Sequence, residues 1–132
     1  MMAKNIIEYE FGKSFKNNKL KTRIQQLEID NTERIFIGSL SEIIDRWPHD
    51  ELVEHRFKEE KCLGMNKGLT WYPDDERVII VRSDSPRYKK LDSTKIEEQI
   101  LLTIFHEEGH LLGLDNEYDA EEFALIKLVA NQ

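Results

Sequence analysis

Polar and apolar residues alternate near the start of the chain. In "IIEYEF" the residues Ile7, Tyr9 and Phe11 alternate with Glu8 and Glu10, the period of two that marks a half-buried strand. The spacing then lengthens: Leu20, Ile24 and Leu27 in "LKTRIQQLEI" predict a helix, and "RIFIGS" predicts a short strand closed by Gly38. "SLSEIIDRW" reads as a short helix stopped by Pro48, and "HDELVEHRFKEEK" as a second. The middle of the chain is rich in β-formers. "GLTWYP" and "RVIIVR" flank Pro73-Asp74-Asp75, where proline presets a turn dihedral and the aspartates tolerate turn geometry, so a β-hairpin is expected.

Helical spacing returns after "SDSPRYKK". Thr94 and Glu97 have capping-box spacing and announce a helix through "EEQILLTIFHEEGHLL" to Gly113, where glycine can adopt the left-handed conformation that ends a helix. Asp115 or Asn116 can cap the last helix, "EYDAEEFALIKLVA". No repeat, linker or low-complexity tract divides residues 1–132, so one domain is expected. Together the elements predict an α+β fold: a small, mainly antiparallel β-sheet packed on the long helix, followed by a C-terminal helix.

Composition narrows the function classes. The 19 Lys plus Arg against 26 Asp plus Glu give a formal net charge of −7, which argues against nucleic acid or an anionic membrane as the main partner. The single cysteine, Cys62, excludes an intrachain disulfide, fits a reducing compartment, and reads as a small buried hydrophobe without further role. Glu8 and Glu10 interrupt the N-terminal apolar residues, and the longest apolar run, "FALIKLVA", is too short to span a bilayer. A soluble, cytoplasmic protein is the expectation.

One stretch carries chemistry. In "HEEGHLLGLDNEYDAEEFA", His106 and His110 lie four apart, so on a helix both imidazoles face one point and can grip one metal ion. Imidazole suits zinc, and Glu107 beside it can take a proton from water, the HExxH arrangement. A catalytic zinc has three protein ligands and an open position, so a third ligand must come from downstream of Gly113. Glu117 is favoured, with Glu121, Asp119 and Asn116 left open as alternatives, and Glu122 reads as helix surface. Asn116 stands where a metzincin would need histidine or aspartate, and no methionine follows the motif, so that class is disfavoured. Ala120 and Ala124 share a face with Glu117 and Glu121 and would let the last helix approach the histidines closely. Trp71, Tyr72 and Tyr118 could line a cleft, although packing is the commoner use of such aromatics, and His49 and His55 read as solvated.

The runs "GLTWYPDDERVIIVRSD", "QILLTIFHEEGHLLG" and "EYDAEEFA" resemble the ImmA/IrrE-type metallopeptidases, intracellular gluzincins with a hairpin, a helix reading "TxxHExGH" and a later "ExEAxxFA" helix. Small stand-alone gluzincins are a neighbouring resemblance. The resemblance covers residues 64–130 and implies a zincin-like fold, a Zn2+ held by His106, His110 and Glu117, and Glu107 as general base. It further implies an endopeptidase acting on an intracellular protein such as a transcriptional repressor. A substrate strand is expected to add to an edge strand, for which "RVIIVR" serves equally well as edge or as core. The alternative is a non-enzymatic or latent zinc-binding protein that acts as a protein-interaction module.

Overall fold

"RIFIG" and "VIIV" lack the alternation of a half-exposed strand, and their tertiary surroundings show why. The computed structural model describes residues 6–68 and 76–132. Its elements run β1 (Glu8–Phe11), α1 (Asn18–Gln25), β2 (Arg34–Gly38), α2 (Leu40–Arg46), α3 (Glu51–Glu54), β3 (Gly64–Lys67), β4 (Val78–Arg82), α4 (Ser93–Leu111) and α5 (Glu117–Ala130). A π-helical turn, His55–Glu59, extends α3, and a 3-10 turn, Pro86–Lys90, precedes α4. The strands form one mixed sheet in the order β1-β2-β4-β3.

The sheet is not mainly antiparallel. β1 pairs with β2 and β2 with β4 in parallel, and only β3 and β4 are antiparallel. Helices cross between the parallel neighbours and cover both faces, so β2 and β4 are apolar continuously rather than at every second position. Ile35, Ile37, Ile79 and Val81 face α1, α4 and α5, while Phe36, Val78 and Ile80 face Ile43, Val53 and Phe57 of the α2 and α3 region. Burying a side chain of this kind contributes roughly 1.5–3 kcal/mol before chain entropy is counted. β4 is therefore interior, and the edge beside the long helix is β3.

The hairpin also differs in its first arm. β4 pairs with Gly64–Lys67 instead of "GLTWYP", in the register Met65 opposite Ile80. Trp71, Tyr72 and the Pro73-Asp74-Asp75 turn lie outside the described residues. β3 approaches α4 closely because Gly64 has no side chain. A Cβ there would stand 2.4 Å from Thr103 Cγ2 and 3.1 Å from the Ile80 carbonyl oxygen.

Caps set the helix starts. Asp92, not Thr94, caps α4: its carboxylate accepts the Lys95 N–H at 2.9 Å, while Glu97 accepts from the Asn17 side chain at 2.9 Å. The capping box forms at α2, where Ser39 Oγ accepts the Glu42 N–H at 3.2 Å and Glu42 accepts the Ser39 N–H at 2.9 Å. Glu42 also accepts the Ser14 N–H and hydroxyl, tying the loop after β1 to α2. Burial pushes the Glu42 carboxyl up, but these hydrogen bonds outweigh it and hold the group at about 2. Among the described residues no helix is long and apolar enough to cross a membrane.

Two outcomes test this packing. Gly64→Ala should lower stability by about 1–3 kcal/mol in urea unfolding, and adding Thr103→Ser, which removes the opposing methyl, should restore most of the loss. Additive losses would mean that β3 and α4 do not meet there. Glu42 has a folded pKa below its ordinary 4.5, so its contribution is complete above that value and fades as pH falls toward 2. Glu42→Gln should cost about 1–2 kcal/mol at pH 7, with the difference from wild type closing across that acid window.

Candidate metal centre

The site is assembled by three successive local decisions. α4 presents His106 and His110 one turn apart, with ring centroids 4.8 Å apart and planes at 75°. Gly113, at φ 101°, then reverses the chain: the Leu114 N–H donates to the Gly109 carbonyl and the Gly113 N–H to the His110 carbonyl, both at 3.0 Å, a Schellman ending. Asn116 starts α5 by accepting the Tyr118 N–H at 2.7 Å, which makes it a cap. Glu117 is consequently the first residue of α5, directly opposite the two imidazoles.

The distances are short and mutual. Glu117 reaches His106 Nε2 through Oε2 and His110 Nε2 through Oε1, each at 2.9 Å, and the two Nε2 atoms are 3.1 Å apart. His110 Nδ1 lies 2.6 Å from the Leu114 carbonyl oxygen, which can only accept, so Nδ1 carries the proton. His106 Nδ1 faces the Glu121 carboxylate at 3.0 Å by the same logic. Both Nε2 atoms are then aimed at each other and at the Glu117 carboxylate. Three such atoms converging can share either a proton or a metal ion. Zinc bonds of about 2.0–2.2 Å in a tetrahedron put neighbouring donors about 3.3 Å or slightly more apart, close to the spacing here. His106, His110 and Glu117 are thus residues that could hold a metal ion, with their ligand atoms all within 4.8 Å of one another.

Around them lies a supporting shell. The Leu114 carbonyl and Glu121 orient the two rings, the usual task of groups behind metal-bound histidines. Glu107 is buried, and the Asn66 side-chain N–H donates to its Oε1 at 2.8 Å. Burial pushes the Glu107 carboxyl up, with the Asn66 hydrogen bond and the nearby histidines pulling the other way. Two cavities of about 580 and 270 Å³ meet at Glu107, His106 and Glu117, forming a cleft between β3 and α4.

Other candidates from the sequence stand elsewhere. Asp119 and Glu122 are exposed and outside the cluster, and Tyr118 is 76% exposed without lining either cavity. His49 and His55 are exposed, and His55 faces Glu60. Cys62 is half-buried rather than core and borders both cavities; burial pushes its thiol up. Asn66 and the Leu114 carbonyl had no local signal in the sequence, because each acquires its partner only through a turn or a strand pairing.

Zinc titration with a chromophoric competitor checks the ligand set. His106→Ala, His110→Ala and Glu117→Ala should each abolish stoichiometric binding, whereas Glu121→Ala should weaken it about 10–100-fold by freeing the His106 ring. Undiminished affinity in Glu117→Ala would remove that carboxylate from the set. In comparisons with known proteins, no family model, curated protein or solved structure matches this chain.

Proposed function

We propose that the chain is a zinc-dependent endopeptidase with a zincin-like fold, akin to the ImmA/IrrE-type gluzincins. The observation that carries this reading is the convergence of two imidazole Nε2 atoms and one carboxylate, beside a buried glutamate, in an open cleft. Three protein donors leave a position free, whereas a structural zinc is normally closed by four. Among the described residues no fourth histidine, cysteine or carboxylate joins the cluster.

Zinc bound there would lower the pKa of water and polarise a substrate carbonyl. Glu107 accepts the proton and passes it to the departing amine. Asn66 holds one oxygen of that carboxylate, leaving the other for the proton. The substrate backbone adds to β3, the sheet edge beside the cleft. The Arg82 N–H bonds the Leu63 carbonyl at 2.8 Å, so by antiparallel alternation the backbone groups of Gly64 and Asn66 point away from β4 and are available for pairing. By the family resemblance, the substrate is an intracellular protein such as a transcriptional repressor.

The test separates an enzyme from a zinc-holding interaction module. Zinc-loaded wild type should cut members of a proteome-derived peptide library, chelation should stop the cutting, and added zinc should restore it. Glu107→Gln should keep wild-type zinc affinity yet lose about 10²–10⁴-fold in rate. Equal cutting by Glu107→Gln, or none by the loaded wild type, would overturn the enzyme reading and favour the module.

A further inference from the structure

The two cavities that meet at the metal centre differ in how their cations are held. In the larger, Asp50 pairs with Lys67 and Glu60 with Arg56, so both charges are compensated. In the smaller, the Arg87 guanidinium has no carboxylate or carbonyl partner among the described residues, whereas every other arginine has one. Its backbone is anchored. Ser85 Oγ accepts the Arg87 N–H at 3.2 Å, and the next residue, buried Tyr88, donates its hydroxyl to the Arg82 carbonyl at 3.2 Å. The Arg87 guanidinium is thus a cation on the wall of that cavity that can pair with an acidic group entering it.

The position of this cavity says which part of a substrate enters it. Leu63, Gln99, Leu102 and Thr103 line only the smaller cavity, while Lys67 and Gly68 line only the larger. The cleft therefore follows β3, with the smaller cavity at its N-terminal end. A substrate strand antiparallel to β3 runs from the Lys67 end toward Leu63, so the residue after the scissile bond meets the smaller cavity. Gln99 stands seven residues before His106, about 10 Å along the helix, which gives the cavity depth away from the metal. Glu117 and Glu121 occupy the metal end, each engaged by a histidine, and would repel a short acidic side chain there. Glutamate carries its carboxylate further from the backbone than aspartate does, and Leu63 and Leu102 supply apolar lining for its methylenes.

We propose that the smaller cavity is a subsite for an acidic substrate side chain, glutamate ahead of aspartate, on the residue following the cleaved bond, with Arg87 as its partner. This rests on the peptidase reading. Arg87 is exposed, so substitutions there leave the core intact.

The probe is a chymotryptic peptide library from a whole proteome, incubated with the zinc-loaded full chain, with cut sites read by mass spectrometry. Glutamate should be enriched after the cut, and the ratio of glutamate to glutamine at that position should fall about three- to fivefold in Arg87→Ala. Arg87→Glu should shift the enrichment to lysine and arginine. Cutting with no acidic enrichment, or with the same enrichment in Arg87→Ala, overturns the subsite while leaving the peptidase intact. If the loaded wild type cuts nothing, the peptidase reading fails. Retention of the same peptides on immobilised protein then decides: acidic peptides held by wild type but not by Arg87→Glu support the cavity's preference, and equal retention overturns it.

Discussion

Gly109 has no side chain, and Ala120 and Ala124 on the facing helix present one methyl group each, so α4 and α5 pack with their backbones close together. A Cβ on Gly109 would lie 3.1 Å from the Phe123 ring and 3.5 Å from the Ala120 Cα. Both alanines are fully buried. This closeness, set by steric size, brings the Glu117 carboxylate within 2.9 Å of both Nε2 atoms. Any bulk added at the crossing would widen the gap, and a carboxylate only one or two ångströms further away would no longer reach both histidines. The same helix pair is tied on another side by Glu108, which is fully buried, accepts the Asp30 N–H at 2.7 Å and pairs with Lys127 at 3.3 Å. Burial pushes the Glu108 carboxyl up, with the Asp30 N–H and the Lys127 ammonium pulling the other way; Lys127 also donates to the Glu28 carbonyl at 2.7 Å.

The sheet contributes rigidity and, in β3, an edge beside the cleft. β2 and β4 are enclosed between helical layers and supply the apolar interior, which leaves their polar backbone groups satisfied by neighbours on both sides. β3 has a neighbour on one side only. Its alternation divides labour: Met65 enters the core beside Phe36 and Phe57, while Gly64 and Asn66 turn toward α4, one to allow contact and the other to hold Glu107. The cleft and the setting of Glu107 thus depend on a single four-residue strand.

Much of this was legible from pattern. The alternation of Ile7, Tyr9 and Phe11, the helical spacing of Leu20 and Ile24, the stop at Pro48 and the hinge at Gly113 all correspond to observed elements, because each depends on neighbours a few residues away. So does the pairing of His106 with His110. The capping site of α4 shifted from Thr94 to Asp92 because two adjacent stretches offered acceptable caps and Glu97 found Asn17, distant in sequence. The parallel order of the sheet carried a weak signal, the unbroken apolar runs of β2 and β4, which also fit a buried antiparallel strand.

Spacing along the chain was enough to identify two histidines on one helix face, a glutamate beside them and a glycine turn before an acidic helix, since those are properties of covalent geometry and local dihedrals. It left Glu117, Glu121, Asp119 and Asn116 as competing ligands. They were separated by packing: the depth to which Ala120 and Ala124 let α5 settle turns Glu117 to both imidazoles, Glu121 to the back of one ring, Asn116 to its own helix and Asp119 to solvent. Likewise, the place of β3 at the sheet edge beside the cleft and that of Arg87 on the cavity wall arise from contacts between residues far apart in the chain, which periodicity does not encode.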